Sequence, residues 1–406
     1  STCAGGTVIL LAPDLKEELP VLHLRLRDAA EKKRIKIIEV SSHESGLTKH
    51  AWRSVRAESG TTASVLASLL ADPLVASQLA SGQVTVVAGR ANLAEAAEHT
   101  MAAVAAVPSA TVLPVLRRGN VRGALTLGLA PRQNNDAVAI LEAAASGHIE
   151  CLILLGADPL SDVADADLAR RGIAGSKFVV AIDTFLTQSA AHADVVLPAA
   201  AYGEKDGTTM NLEGRVTNVV QKITPRGTSR ADWMIAAELA DMLGHDMGVT
   251  TLDDVQKLMS AKVPGFGSST TKVAIKRDGV VIDVQLPVRT PVTAPTAAPR
   301  NGYEFRLDVS RKLYDRAVST VTSPALEALA PGASVCIHSL DLERVGAAEG
   351  SNVRVSNNHS SIVLPVRVSD AVPRGTAVIP FNQPGADVRE LIRHSDSVVD
   401  VRIESI

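Results

Sequence analysis

The segment Cys151-Leu152-Ile153-Leu154-Leu155-Gly156-Ala157-Asp158-Pro159 decides the fold class. Its five consecutive apolar residues are typical of a strand buried on both faces, as in a parallel sheet covered by helices. An amphipathic stretch at 162–171 and a second apolar run at 178–182 follow, which predicts a strand-helix-strand unit. Gly156 and Asp158 then lie at the carboxyl end of a strand, where open α/β sheets bind their ligands.

The same alternation recurs toward the N-terminus and predicts an α/β fold. Strands are expected at 7–12, 35–40, 84–88 and 111–115, and helices at 17–33 and 91–107. Further helices are predicted at 136–146, 229–243 and 252–261. The pattern therefore predicts a body built around parallel sheets.

A proline-spaced segment marks the predicted domain boundary. Prolines recur at every fourth position as Pro287, Pro291, Pro295 and Pro299, which favours an extended linker over 287–300. The body is then 1–286, with two lobes at about 1–131 and 132–263. Short runs at 334–339, 352–356, 361–368, 376–381 and 398–403 follow, and they predict a C-terminal β-barrel over 301–406.

Composition excludes several classes of function. The 406 residues carry 41 basic and 44 acidic side chains, a net charge of −3, and only 2% aromatic residues, which argues against nucleic-acid binding. No apolar window approaches the ~18 residues of a membrane span. Cys3, Cys151 and Cys336 are too far apart for a cluster-ligand run, so Cys151 and Cys336 are predicted to be small buried hydrophobic residues.

Familiar catalytic and nucleotide-binding motifs are absent from the sequence. There is no G-x-G-x-x-G, P-loop, H-E-x-x-H or G-x-S-x-G segment. Ser189, His192 and Asp194 have the composition of a triad, but their tight spacing does not set its geometry. The basic stretch 117–122 is interpreted as a solvated or ion-paired surface rather than an anion site.

The polar residues that remain cluster at predicted strand ends. Asp158 and Asp183 could hold a base or ribose, or could serve only as turn and helix-cap residues. The loop after Pro198 contains Glu204, Asn211, Glu213 and Arg215. Such loops are more often hydrogen-bonded scaffolds than acid–base pairs, so these side chains are predicted to hold the loop together.

Three segments of the central block occur in a specific order: 154–159 (LLGADP), 179–198 (VVAIDTFLTQSAAHADVVLP) and 203–216 (GEKDGTTMNLEGRV). This order resembles the molybdopterin-oxidoreductase superfamily. The segments 346–355 (GAAEGSNVRV) and 372–376 (VPRGT) resemble the dinucleotide-binding barrel of the same superfamily. Within it, the chain is most similar to the family of G subunits of bacterial NADH-quinone oxidoreductase, respiratory complex I.

The resemblance implies an α/β molybdopterin-oxidoreductase-like body closed by a double-psi barrel. It also implies a relic of a pterin-nucleotide groove, formed by Gly156, Asp158, Asp183, Glu204, Asn211 and Arg215. The iron–sulfur clusters of this family, [2Fe-2S] and [4Fe-4S], are expected in an N-terminal part outside this chain, which starts at Ser1, and molybdenum is not expected. A further stretch is expected to be missing near Pro131.

The resemblance predicts a non-catalytic scaffold segment of a proton-translocating enzyme that passes electrons from NADH to quinone. Its partners would be other subunits of the peripheral arm, on the cytoplasmic side of the cell membrane, with no nucleic acid and no direct membrane span. One alternative is a truncated catalytic subunit of a molybdopterin-dependent enzyme, of the formate dehydrogenase or nitrate reductase type. A second is a nucleotide-binding α/β protein without redox function.

Overall fold

The structure is a computed structural model that describes residues 2–131, 135–263, 266, 278–282, 284 and 292–406. It divides into two compact units. Unit 1 comprises Ser1–Val115, Val163–Asp167 and Thr290–Ile406, and unit 2 comprises Leu116–Asp162 and Leu168–Arg289. This division differs from the predicted one, because the C-terminal barrel belongs to the same unit as the first sheet.

Unit 1 begins with a five-stranded parallel sheet in the order β3-β2-β1-β4-β5. Val8 and Leu10 pack with Leu26 on one face of the sheet, and Ile9 packs with Leu66 on the other, so helices cover both faces as predicted. The strands are β1 (Gly6–Leu11), β2 (Ile35–Ser41), β3 (Arg53–Arg56), β4 (Val84–Ala88) and β5 (Thr111–Pro114); the helices are α1 (Leu15–Glu18), α2 (Pro20–Glu31), α3 (Thr62–Leu70), α4 (Pro73–Ala80) and α5 (Ala97–Ala105).

The second parallel sheet, in unit 2, has three strands in the order β6-β7-β8. These are β6 (Cys151–Leu155), β7 (Phe178–Asp183) and β8 (Val195–Pro198). The helices along this part of the chain are α6 (Val121–Thr126), α7 (Ala137–Ala145), α8 (Pro159–Asp162), α9 (Ala166–Gly175), α10 (Asp232–Met242) and α11 (Leu252–Lys262).

The prediction that both faces of β6 are buried is wrong. Ile153 is 57% exposed and Leu155 is 58% exposed, and Cys151 is exposed on the same side. The reason is position in the sheet: β6 is the edge strand. On this side α10 packs through Ile235 against Ile182 of β7, which leaves the outer column of β6 uncovered.

The loop predicted after Pro198 is a β-hairpin. Strands β9 (Gly207–Met210) and β10 (Arg215–Val219) pair antiparallel, and β10 also pairs with β11 (Val280–Val281). Met210 and Val216 pack with Phe266 in the core of this sheet.

A closed six-stranded barrel forms the rest of unit 1, which confirms the predicted β-barrel. Its strand order is β12-β16-β13-β15-β14-β17, and its core contains Phe305, Leu307 and Val309. The strands are β12 (Phe305–Ser310), β13 (Val335–Ile337), β14 (Asn352–Ser356), β15 (Ser361–Val368), β16 (Thr376–Pro380) and β17 (Asp400–Ser405); the helices are α12 (Val318–Val321), α13 (Pro324–Glu327) and α14 (Ser339–Val345).

Within unit 1 a buried polar seam joins the barrel to loops of the first sheet. The amide of Asn92 donates to Ser59 Oγ at 2.8 Å and to the Leu307 carbonyl at 2.9 Å. Its oxygen accepts the Ala94 and Val309 N–H groups, both at 2.8 Å. All four hydrogen-bonding positions of this amide are therefore filled.

Arg306 adds an ion pair and two hydrogen bonds to the same seam. It is 3% exposed, and its guanidinium contacts Asp400 at 2.7 Å, the Ser59 carbonyl at 2.8 Å and the Ala298 carbonyl at 3.0 Å. The described end of the predicted linker, 292–300, is thus bonded to the barrel at Ala298.

No single helix among the described residues has the length and apolar character needed to cross a membrane. Helices α3 and α4 pass that test only as a pair, and they are bent by 82°.

Candidate functional site

The first two sequence-predicted residues lie in a loop tied to its neighbour in unit 2. Gly156 follows β6 with a φ of +55°, a left-handed conformation that glycine adopts readily. The Asp158 carboxylate accepts hydrogen bonds from the Ser189 backbone N–H at 3.0 Å and from its hydroxyl at 2.5 Å. Ser189 Oγ in turn accepts the Leu160 N–H at 3.0 Å. The contacts join the loops that follow β6 and β7.

Asp183 and Glu204 make local backbone contacts. Asp183 is the last residue of β7, and its carboxylate accepts the Phe185 N–H at 3.2 Å. Glu204 ends a single 3₁₀ turn and accepts the Ala201 N–H at 2.8 Å. Both carboxylates therefore shape the turns in which they lie.

Asn211 and Arg215 belong to the β9–β10 hairpin. Asn211 Oδ1 accepts the backbone N–H groups of Glu213 at 2.9 Å and Arg215 at 3.0 Å, which closes the turn. The Arg215 guanidinium donates to the Asp278 carbonyl at 2.7 Å and lies 3.9 Å from Glu213 Oε2. Gly214 supplies the left-handed residue of this turn, with φ +82°.

The residues of the predicted pterin-nucleotide groove are bonded locally in this structure. The chemistry of a pterin dinucleotide requires several polar groups that converge on one space and remain available to it. The side-chain contacts of Asp158, Asp183, Glu204, Asn211 and Arg215 described above all run to nearby backbone or to Ser189 and Glu213. The groove therefore stays a prediction.

The three triad-like residues are also apart in the structure. Ser189 bonds Asp158, whereas His192 Nδ1 lies 2.9 Å from the Gln188 carbonyl. The Asp194 carboxylate accepts the Val179 N–H at 2.7 Å. Each side chain has a different partner, so no relay connects them.

The basic stretch and the cysteines differ in how far they match the sequence predictions. In the stretch 117–122, Arg118 pairs with Asp162 at 2.6 Å and Arg122 donates to the Leu212 carbonyl, in agreement with a paired surface.

Cys151 is exposed, so the prediction that it is buried is wrong, and Cys3 and Cys336 are half-buried. Within the described ranges, no three His, Cys, Asp or Glu side chains are grouped to hold a metal ion.

Sequence reasoning missed a polar cluster at the carboxyl end of β2. Asp308 of the barrel strand β12 is fully buried, and its Oδ2 lies 3.2 Å from His43 Nδ1 and accepts the Ser42 hydroxyl. Its Oδ1 has no hydrogen-bond partner among the described residues. The available signal was the segment Ser41-Ser42-His43 at a strand end; its partner Asp308 could not be inferred from spacing.

Asp308 changes the titration of His43. Burial lowers the pKa of His43, but the Asp308 carboxylate raises it more, through its charge and its hydrogen bond, so the pKa lies above its ordinary value. The imidazole can therefore hold a proton near neutral pH and act as a cationic hydrogen-bond donor.

His43 opens onto a cleft of about 260 Å³ at the mouth of the barrel. The cleft is also lined by Lys312, Arg367 and Cys336, with Glu44 as an acidic member. Burial raises the pKa of the Cys336 thiol, although Arg367 opposes that shift, so the thiol is a poor nucleophile at neutral pH. The cleft can bind an anion, but it contains no evident acid–base pair.

A second buried carboxyl lies in the seam. Burial raises the pKa of Glu95 to about 7; the Gly60 N–H bond, 2.6 Å long, opposes this shift, and the charge of Asp308 adds to it. Glu95 is 8% exposed. The group thus exchanges its proton in the physiological range, at a position that contacts barrel and sheet loops.

The covered parallel sheet, the second parallel sheet and the closed barrel define a class of α/β proteins with a C-terminal β-barrel. Residues 4–242 match the molybdopterin oxidoreductase family, and residues 309–400 match the molybdopterin dinucleotide binding domain. The chain belongs to the molybdopterin oxidoreductase family.

Several curated relatives are similar to this chain. The alpha subunit of the NADPH-Fe(3+) oxidoreductase of Geobacter sulfurreducens is 26% identical over 72% of this chain and 37% of its own length. The G subunit of the NADH-quinone oxidoreductase of Mycobacterium tuberculosis is 27% identical over 96% of this chain and 50% of its own. The assimilatory nitrate reductase catalytic subunit of Bacillus subtilis is 26% identical over 64% and 42%, respectively.

The chain therefore spans about half or less of the length of these relatives. Among solved structures, acetylene hydratase from Pelobacter acetylenicus superposes with a TM-score of 0.71 at 13% identity, over 100% of this chain and 78% of that one. At this identity the likeness establishes the fold alone.

Proposed function

We propose that this chain is a scaffold segment of the G subunit of an NADH-quinone oxidoreductase. The observation that carries the proposal is coverage. The similarity to the G subunit of Mycobacterium tuberculosis extends over 96% of this chain, barrel included, whereas the similarity to the nitrate reductase extends over 64%. The alignment with this G subunit therefore includes nearly every residue of the chain.

In this role the segment carries no electrons itself. The three dispersed cysteines and the absence of a metal-ligand group among the described residues support this, since an iron–sulfur cluster needs about four thiolates. The local bonding of Asp158 and Asn211 supports a structural use of the former groove. The clusters that pass electrons from NADH to quinone would lie in other parts of the whole protein.

The surfaces of the segment would then contact other subunits of the peripheral arm, on the cytoplasmic side of the membrane. The exposed column of Ile153 and Leu155 on β6 is one apolar surface available for such a contact. Coupling to proton translocation would belong to the assembly, not to this segment.

A second candidate function is that of a molybdopterin-dependent catalytic subunit. The match of the barrel to the molybdopterin dinucleotide binding domain, together with the nitrate reductase relative, favours it. In that case the pterin would supply the redox chemistry, and this chain would contribute only binding groups.

Elemental and pterin analysis of the anaerobically purified full-length protein separates the two candidates. Iron without molybdenum or pterin is expected for the scaffold. Stoichiometric molybdenum with extractable pterin would overturn it and support the second candidate. Iron–sulfur reconstitution of the 406-residue chain tests the narrower claim: a visible absorption band that is lost on mutation of Cys3, Cys151 and Cys336 would contradict a cluster-free segment.

A further inference from the structure

An electropositive pocket of about 440 Å³ lies between α2 and the segment 44–50, which follows β2. None of the six residues of the predicted groove, all of which are in unit 2, lines this pocket. Three of its lining side chains are cationic, Lys16, Arg27 and Lys49, and Glu44 is acidic. His23 and His50 also line the pocket, and burial lowers the pKa of His23. The Asp14 carboxylate lies against the wall, where it accepts the Gly46 N–H at 3.2 Å. This imbalance favours an anionic ligand.

The positive charge in this pocket is not neutralised from within. Neither Lys16 nor Lys49 forms an ion pair with any residue that the structure describes. Arg27 has only a distant partner, Glu31 at 3.8 Å on the exposed side of α2. Two lysine charges therefore remain available to a ligand.

Two buried histidine nitrogens lack partners beside the same pocket. His23 is 7% exposed, and its Nδ1 makes no hydrogen bond within the described residues; the same holds for Nε2 of His50. The other ring nitrogen of His50 lies 3.5 Å from Glu31. Because both atoms are enclosed by protein, the two histidines report on a bound ligand through proximity and not through a direct hydrogen bond.

The wall opposite α2 is held in place before any ligand arrives. Glu39, 2% exposed, accepts the Thr48 hydroxyl at 2.7 Å and also the Ser45 hydroxyl. Its carboxylate therefore holds the segment 44–50 in place. Gly46 allows close approach to the histidine, because a Cβ there would lie 2.8 Å from His23 Cε1. A pocket with fixed walls loses little entropy on binding.

We propose that this pocket binds the phosphate group of a small phosphorylated molecule. Phosphate is a dianion near neutral pH, which matches two unpaired lysines, each of which can donate hydrogen bonds to its oxygens. The volume lies within the range of small-molecule pockets, about 300–1,000 Å³, and leaves room for an organic part beside the phosphate. The inference is independent of the scaffold proposal.

Isothermal titration calorimetry on the complete chain provides the test, with inorganic phosphate and glycerol phosphate as probes and acetate as a monoanion control. Saturable phosphate binding is expected, weakened about tenfold or more in Lys16→Gln/Lys49→Gln. Lys222→Gln is the matched control, because Lys222 is exposed in unit 2, outside the pocket. It should leave the affinity within about twofold.

Imidazole NMR gives a readout that general charge screening would not produce. Phosphate should shift the His23 and His50 resonances and leave that of His359, exposed on the barrel, unchanged. Tighter binding of glycerol phosphate than of inorganic phosphate would identify an organic phosphate as the ligand, and equal binding would identify free phosphate. Equal losses in the Lys222 variant, or saturation without a shift of His23, would overturn the proposal.

Discussion

The imidazole of His43 and the carboxylate of Asp308 lie 3.2 Å apart, although 265 residues separate them in the chain. His43 follows strand β2 of the first sheet, and Asp308 lies in β12, the first strand of the barrel. Their contact places a protonatable pair where these two parts of unit 1 meet.

Replacing Asp308 with Asn should lower the pKa of His43, because the charge that raises it is removed while burial, which lowers it, remains. NMR titration of the His43 ring checks this. In the wild type the pair stabilises unit 1 fully below the unfolded histidine pKa of 6.5, and that stabilisation is lost as the pH rises through the higher folded value. An unchanged His43 titration in Asp308→Asn would contradict the assignment.

Glu95→Gln should remove a pH dependence of stability. Because the folded pKa is about 7 and the ordinary value is 4.5, the folded state holds this proton more tightly, and stability declines as the pH rises between those values. The full decline amounts to about 3 kcal/mol. Urea unfolding of the wild type at pH 5 and pH 8 should show most of that difference, and the Gln variant should show less of it.

Glu98→Gln is the control for this prediction, since Glu98 lies three residues further along the same segment. It should leave the pH dependence as in the wild type. If it flattens the curve as much as Glu95→Gln does, the decline comes from general charge and not from the seam.

Asn92→Ala should destabilise unit 1 by about 3 kcal/mol or more. The change leaves three buried backbone groups, the Ala94 and Val309 N–H groups and the Leu307 carbonyl, without this partner. The free energy of unfolding in urea measures the loss, and Asn352→Ala, at an exposed position of the barrel, serves as the comparison. Similar losses of unfolding free energy in both variants would show that the seam stabilises the protein no more than an exposed position of the barrel does.

Arg215→Ala should cost about 1 kcal/mol. A buried charged hydrogen bond would predict a larger loss of about 3–5 kcal/mol, but the Arg215 side chain is 37% exposed and its ion pair with Glu213 is long. A modest fall in melting temperature is expected and, under the proposed function, unchanged NADH-to-quinone turnover in the assembled enzyme. Unchanged stability with lost turnover would instead indicate a role in proton or electron transfer.

Much of the fold follows from hydrophobic patterning. The strand predictions at 352–356 and 361–368 coincide with β14 and β15, because apolar and polar residues alternate there as they do in a half-buried strand. Strand β12 was not predicted. Its Arg306 and Asp308 interrupt the apolar pattern, and they are buried only because the loops of the first sheet supply partners for them.

The candidate site was harder to predict than the fold. The rule that ligands bind at strand ends selected Gly156 and Asp158, and it applies equally to His43. The rule cannot say which polar residue finds a partner from a distant segment. That information is in tertiary contacts such as the one between His43 and Asp308.

The seam can form only after the barrel strand that contains Leu307 has been synthesised. Asn92 and Leu307 are 215 residues apart, so a ribosome adding about 5–20 residues per second needs roughly 10–40 seconds between the two. During that interval the first sheet is in water without its barrel, with Asn92 and Ser59 lacking their barrel contacts. Unit 2 is synthesised meanwhile, so the contacts of the N-terminal third of the chain with the barrel are among the last to form.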